Sequence, residues 1–443
     1  MPDPRWSTEQ VHALAPDPSS LSAARKLATG GGWSQEGCGG NPLSVWGLCK
    51  GSGSSPYQAV VDLSEPAYRC SCPSRKFPCK HTLALLLRWA AGQVPEGAPP
   101  EFVQEWYAGR AERAQKRGER VAKAAEPRTP EQERAAQRRA EKRADRMAEG
   151  VSEVRRWLDD QVRHGIAGLD QAGYRHFDQV AARLVDAQAP ALASAVRRLG
   201  SIPASGAGWE ERLLAELGLL RLLTAAYGKL DQLPPPLADT VAARIGQPIT
   251  SEQVLAGPRV RDIWQVLGSR DEFEERLAAR RVWLLGRESG RVAMVLSFAA
   301  PGQALSVDLV VGTEFEADLC FFPGSGQLRA LVADKHTDPR RLTHPGPVTT
   351  VDDALSAIAR ALAEDPWLTR TLVLIRAVLI PGKPWYVTGP DGAALPLTPS
   401  APAPWPMLAT TQGAIAVLAA EWTPDGLIPL SLYASQTEGA VLA

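Results

Sequence analysis

Alternating apolar and polar positions near the N-terminus predict a small β-sheet followed by a helix. The period of two is clearest in three segments, which predict strands at residues 43–49, 57–63 and 67–71. The next segment, 81–91, is apolar nearly all round and predicts a buried helix. Two short helices are expected within residues 7–30, and the glycines of 30–42 predict a loop.

The pattern changes three times in the rest of the chain. Residues 109–149 are dominated by Arg, Ala and Glu, which favours one or two exposed helices or a partly disordered linker. Residues 151–246 follow helical spacing, most clearly from Trp209 to Leu230. Beyond about residue 280 the period shifts towards two. The strands predicted there are 282–286, 292–298, 305–311, 317–322, 372–380, 385–388, 415–422 and 427–432, with an amphipathic helix at 351–363.

Composition indicates a folded protein without a dominant charge. The chain has 443 residues, of which 44% are apolar, and Lys plus Arg equals Asp plus Glu at 49 each. Its six cysteines do not form a disulfide framework, which favours a reducing compartment. The N-terminus lacks a basic start with an apolar run, and no window approaches the roughly 18 apolar residues of a membrane span. We therefore expect a cytoplasmic protein with no membrane partner.

The segment CSCPSRKFPCKH, residues 70–81, concentrates four metal-ligating side chains. Cys70 and Cys72 are two residues apart, so in an extended chain both sulfurs point to the same side. Cys79 and His81 supply a second pair after a knuckle bounded by prolines. Three thiolates and an imidazole saturate a tetrahedral zinc ion, so we predict one structural Zn²⁺. The alternatives are buried cysteines without a metal, or a redox dithiol, although C-x-C is not the thioredoxin-like C-x-x-C.

This spacing, followed by an apolar helix, resembles the SWIM zinc finger over about residues 43–91. The hairpin that precedes it, with Trp46 and Cys49, is similar to stand-alone SWIM proteins of bacteria. The resemblance gives the zinc-ligand roles to Cys70, Cys72, Cys79 and His81, and it implies a module that binds DNA or protein. Some bacterial members are encoded beside AAA ATPases, which implies an accessory role in an ATPase complex.

Basic residues raise the question of nucleic-acid binding. Arg75, Lys76 and Lys80 lie in or beside the knuckle and are candidate phosphate contacts. The alternative is that they keep a small domain soluble and favour thiolate formation. From Arg110 to Arg146 the chain has 13 basic and 7 acidic residues, which supports nucleic-acid binding but also describes a solvated helix with i,i+4 pairs.

No recognised catalytic motif accompanies the finger. The sequence lacks a P-loop, an H-E-x-x-H motif and a nucleophile elbow. Four further metal-ligating types lie in a predicted loop, where such residues are usually solvated: Asp334, His336, Asp338 and His344. Cys38 and Cys49 are expected to be small buried residues, because four ligands already satisfy zinc.

The sequence therefore predicts a multidomain α+β protein. Residues 1–100 form a small zinc-stabilised module of a β-hairpin and a helix, and 101–150 a charged helical linker. Residues 151–250 form a helical region, and 251–443 an α+β domain. We expect a non-enzymatic zinc-binding protein with a protein partner. A DNA-binding protein is the first alternative, and an enzyme with its site in the C-terminal domain is the second.

Overall fold

A computed structural model describes most of the chain. The residues outside the description are 1–5, 7, 16–17, 42, 52–54, 64–66, 75–77, 126–129, 275–276, 300–304, 306–307, 391, 400, 402, 434–440 and 443. The protein is α+β, as predicted, with an N-terminal sheet and helices, a helical middle and C-terminal sheets. Within the described residues, no helix combines the length and apolarity needed to cross a bilayer.

The N-terminal unit is a four-stranded antiparallel sheet with helices on both faces. The strands are paired in chain order, β1-β2-β3-β4. The elements are α1 (Thr8–Ala13), α2 (Pro18–Thr29), β1 (Trp33–Gly39), β2 (Ser44–Cys49), β3 (Tyr57–Asp62), β4 (Ala67–Cys70), α3 (Lys80–Ala90) and α4 (Glu101–Ala125).

Because successive side chains of a strand point to opposite faces of the sheet, neighbouring residues contact different helices. Val45, Ala59 and Val61 belong to a core cluster with the leucines of α3. Trp46 and Val60, on the opposite face, pack with α4 residues such as Trp106. Arg110 donates to the buried carboxylate of Asp62 at 2.8 Å and stacks on Trp106. The first turns of α4 are therefore packed onto the sheet.

The middle of the chain is a helical bundle. Its core begins at Met147 of the long helix α5 and includes the helices up to α9. Gly150 allows α5 to approach the end of α6, since a Cβ there would lie 2.7 Å from the Ala187 Cβ. The helices are α5 (Pro130–His164), α6 (Leu169–Asp186), α7 (Pro190–Leu199), α8 (Trp209–Tyr227), α9 (Pro235–Ile245) and α10 (Ser251–Leu255).

The C-terminal region contains two six-stranded sheets. The first has the order β10-β8-β5-β6-β7 with β9 also paired to β8, and the second the order β13-β12-β11-β14-β15-β16. The strands are β5 (Arg259–Glu274), β6 (Leu277–Gly286), β7 (Val292–Ala299), β8 (Thr313–Phe321), β9 (Ala330–Lys335), β10 (Arg340–Arg341), β11 (Thr371–Ile380), β12 (Tyr386–Thr388), β13 (Ala394–Pro396), β14 (Ala416–Thr423), β15 (Gly426–Tyr433) and β16 (Val441–Leu442). The helices are α11 (Val351–Glu364) and α12 (Trp405–Thr411).

A shared core joins the two C-terminal sheets. Leu267 and Trp283 of the first sheet pack with Leu374 and Leu430 of the second. The buried carboxylate of Glu421 accepts a hydrogen bond from the Trp283 indole N–H at 2.7 Å and from Arg281 at 3.1 Å. This ion pair is nearly dry, with Arg281 8% and Glu421 1% exposed, so it fixes the orientation of one sheet against the other.

Several sequence predictions differ from the structure. The loop predicted at 30–42 was wrong, because β1 lies within it and pairs with β2. The strand predicted at 305–311 was also wrong for Leu305 and 308–311, while 306–307 lie outside the described residues. The strand β5 was not predicted at all. The boundary predicted between 150 and 151 falls inside α5.

Candidate metal centre

The four predicted zinc ligands come from the end of a strand and the start of a helix. Cys70 is the last residue of β4, and Cys72 follows two residues later. Cys79 immediately precedes α3, and His81 is in its first turn. One ligand atom from each residue lies within 4.8 Å of the other three. The structure therefore brings together residues that the chain separates by a knuckle.

The spacing between these atoms fits tetrahedral zinc. The His81 Nδ1 lies 3.7 Å from the Cys70 Sγ and 3.9 Å from the Cys79 Sγ. Bonds of about 2.3 Å to sulfur and 2.0 Å to nitrogen at tetrahedral angles place such atoms about 3.5 Å apart. Cys72, Cys79 and His81 are buried and Cys70 is half-buried. The donor set thus fits a single structural zinc ion, with all four positions supplied by protein.

The four side chains perturb one another's protonation. Hydrogen bonds from the thiols of Cys70 and Cys72 hold the pKa of Cys79 far below its usual value. Burial lowers the pKa of His81, but hydrogen bonding to Cys72 and Cys79 outweighs it and raises the pKa to about 9. Cys79 also sits at the N-terminus of α3, where the helix dipole favours a thiolate. Hydrogen bonds to Cys72 and Cys79 raise the pKa of Cys70, so the charged sulfur that these contacts favour is that of Cys79.

Two neighbours hold the ligands in place. The Thr82 hydroxyl lies 3.0 Å from the carbonyl oxygen of Cys79 and 3.6 Å from its Sγ, so it can donate to either. The Tyr57 ring packs on the His81 ring with centroids 4.9 Å apart. Gly51 leaves room for that ring, since a Cβ at this position would clash with it. Sequence reasoning did not identify these supporting residues, because none belongs to the ligand motif.

The remaining N-terminal cysteines are buried but are not part of the cluster. Cys49 lies on β2, separated from the ligand Cys70 on β4 by the strand β3, and both face the same side of the sheet. Burial raises the pKa of its thiol, and the negative charge of Cys79 raises it further. Its sulfur is not among the ligand atoms that converge. Cys38 is also buried, so both match the sequence expectation of small buried residues.

The basic residues near the finger have different roles. Arg88 makes a two-pronged ion pair with Glu36, at 2.6 and 2.9 Å, and also donates to the Ala28 carbonyl oxygen. It therefore ties α3 to β1 and α2. Lys80 is exposed. Arg75 and Lys76, the other predicted phosphate contacts, lie outside the described residues.

The second group of metal-ligating residue types does not converge. Asp334 pairs with Arg259 at 2.5 Å, and His336 contacts Asp318 at 3.1 Å. Across the part of the chain that the structure describes, the four finger residues are the only group of three or more such side chains placed to hold a metal. The predicted solvation of Asp338 and His344 agrees with their exposure.

Fold and donor set together define a zinc-finger protein with a closed structural site. Comparison with protein families identifies the finger: the family model of the SWIM zinc finger matches residues 59–90. A second model, the SWIM-associated four-helix bundle domain, matches residues 142–245, from within α5 to the end of α9. The chain therefore contains a SWIM zinc finger and its associated bundle. No curated protein and no solved structure matches the chain.

Loss of one zinc ligand should unfold the finger. We expect Cys79→Ser and His81→Ala to lose the metal, because three ligands no longer close the site. The N-terminal unit should then become sensitive to protease, while the C-terminal sheets remain resistant. Metal content per chain and limited proteolysis measure both effects. Cys49→Ala is the matched control, since it removes a buried thiol beside the site and should keep one zinc per chain. Stoichiometric zinc in both ligand variants would refute the assignment.

The Thr82 hydroxyl should strengthen zinc binding through Cys79. Thr82→Val keeps the shape of the side chain but removes the donor, and we expect the zinc dissociation constant to rise about 10-fold. Thr82→Ser keeps the donor and should bind as the wild type does. Competition with a chelator of known affinity measures the difference. Equal affinities for Val and Thr at this position would contradict the predicted role.

Proposed function

We propose that this chain is a non-enzymatic, cytoplasmic interaction protein that uses its SWIM finger to recruit a protein partner. The observation that carries this proposal is the closed donor set of Cys70, Cys72, Cys79 and His81. Because all four positions of a tetrahedral ion are filled by protein, a substrate has no position at the metal. The ion then serves to build a binding surface.

The layering of the N-terminal unit supports a role in binding. The sheet is covered by α3 on one face and by α4 on the other, so the finger is fixed to its own chain. Some of the bacterial SWIM proteins that the chain resembles are encoded beside AAA ATPases. An AAA ATPase complex is for this reason the partner that we propose for the finger.

Affinity purification from the native host tests this function. The full chain should capture a protein partner, with an AAA ATPase among the proteins retained, and the Cys79→Ser variant should lose that partner. Cys320→Ser is the control, because Cys320 is equally buried but lies in the C-terminal region. Equal capture by the Cys79→Ser variant and the wild type would show that the finger does not recruit the partner.

A second candidate function, DNA binding, is favoured by one face of α5. Arg134, Arg138, Lys142 and Arg146 are spaced four residues apart and form a row about 18 Å long. Arg139 and Arg143 form a second row beside it. All six are exposed, and none pairs with an acidic side chain among the described residues. Such a face can neutralise successive phosphates of a nucleic-acid backbone.

Salt dependence tests the DNA-binding candidate. If these cations contact phosphates, affinity for duplex DNA should fall steeply with salt, by a slope of about 0.9 per contact on logarithmic axes. The triple variant Arg138→Glu/Lys142→Glu/Arg146→Glu should reduce both affinity and slope. A charge-matched control reverses three exposed arginines elsewhere: Arg156, Arg175 and Arg360. DNA binding that does not depend on salt, or an equal loss of DNA affinity in both triple variants, would exclude this function. The Lys80→Glu variant measures separately how much the finger contributes to DNA affinity.

A further inference from the structure

Helix α8 of the bundle carries leucines on the side that faces solvent as well as on the side that faces the core. Leu213, Leu217 and Leu220 are buried in the bundle. On the outer side, Leu214 is 60% exposed and Leu222 is 48% exposed. The same helix also exposes Glu210, Glu211 and Glu216, so its apolar exposure is confined to these leucines and the small residues beside them. The two leucines are a place where another molecule can bury apolar surface.

This outer side forms one wall of an open groove between α5 and α8. The two helices run antiparallel, because Asp159 pairs with Arg221 while Arg155 lies over Gly228. The groove has a volume of about 580 Å³. We call it the α5/α8 groove. Its lining residues are Arg155, Gly218, Arg221, Leu222, Ala225, Gly228 and Lys229.

The charges of the α5/α8 groove have one sign. Three of its lining residues are cationic and none is acidic. Arg221 is offset by Asp159, at 3.5 Å. Arg155 and Lys229 have no ion pair among the described residues. A partner that fits this groove therefore carries negative charge at its edge.

Gly218 leaves the exposed surface of α8 open to close approach. It lies in the middle of α8, where glycine is less favourable than alanine. A Cβ built on Gly218 meets no atom within 4 Å, so packing inside this chain does not require a glycine there. Because Gly218 and Ala225 have small side chains or none, the backbone of α8 is accessible at the floor of the groove. Small residues between larger ones let a second helix backbone come close.

We propose that the α5/α8 groove binds an amphipathic α-helix of a partner protein. Its apolar side chains would pack on Leu222 and over Gly218, and its Asp or Glu side chains would face Arg155 and Lys229. From Leu214 to Ala225 the apolar row extends about 16 Å, or three helical turns. The inference rests on the proposed function of the chain as an interaction protein, but it assigns this contact to the bundle and not to the finger.

The combination of features favours a protein helix over other occupants. Phosphates would use the cations but gain nothing from the exposed leucines. A second copy of the chain would need an acidic apolar surface of its own to complement the groove. An acidic amphipathic helix satisfies the apolar floor, the cationic edge and the close approach at Gly218 together.

Photo-cross-linking in the full chain tests the occupant. A photo-reactive amino acid replaces Leu222 in the native host, and Leu355 of α11, which is also partly exposed, serves as the control position. The proposal expects a cross-link from position 222 to a peptide of another protein with apolar residues at helical spacing and flanking Asp or Glu. A cross-link to nucleic acid or to this same chain, or no specific cross-link, would overturn it.

Substitution at Gly218 then tests the geometry. Gly218→Leu should not impair folding, because leucine favours helix and the Cβ site is open. It should weaken binding of a synthetic peptide copied from the cross-linked segment by 10-fold or more, whereas Gly218→Ala should have a smaller effect. Arg155→Glu/Lys229→Glu should weaken binding about 10-fold at low salt and less at high salt. Wild-type affinity in the Gly218→Leu variant would exclude the groove.

The finger and the groove can fail separately. If the Cys79→Ser variant keeps its cross-link at position 222 and keeps its captured partner, the groove is supported and the finger's role is not. If the finger variant loses its partner but position 222 never cross-links, the proposed function stands and the groove is rejected.

Discussion

Closure of one coordination shell is the constraint on which the N-terminal unit depends. Zinc ligation joins the end of β4 to the first turn of α3, and α3 in turn supplies most of the apolar side chains that cover the sheet. Structural zinc contributes on the order of 10 kcal/mol, comparable with the whole stability of a typical domain of about 5–15 kcal/mol. Three cysteines that close together would otherwise repel as thiolates. Folding of this unit and metal binding are therefore one event.

The other two regions are held together by different means. The bundle relies on a continuous apolar core from Met147 to Ile245. The C-terminal sheets share an apolar layer crossed by the buried pair of Arg281 and Glu421. Each charge also has a second partner, Glu272 for Arg281 at 2.8 Å and Arg370 for Glu421 at 3.5 Å. This buried network favours one arrangement of the sheets over others. For this reason, loss of the metal should destabilise the N-terminal unit before the bundle or the C-terminal sheets.

Elements with a strong local pattern were predictable. The strands β2 to β4 and the helix α3 lie close to their predicted positions, since each buries one face or all of its surface. β1 was missed because Trp33–Gly39 is polar and glycine-rich, and it is a strand only by pairing with β2. β5 was missed because its ends carry charges that find partners far along the chain. Arg259, for example, meets Asp334.

The sequence by itself determined the metal site, because the four ligands lie within residues 70–81 and their spacing alone sets how they converge. Tertiary structure decided the roles that depend on distant residues. It paired Arg88 of α3 with Glu36 of β1, and it packed the start of the predicted linker against the sheet. It also set Arg155 over Gly228, which formed the α5/α8 groove. Contacts between residues 40 or more positions apart leave no local period, so only the folded chain could reveal them.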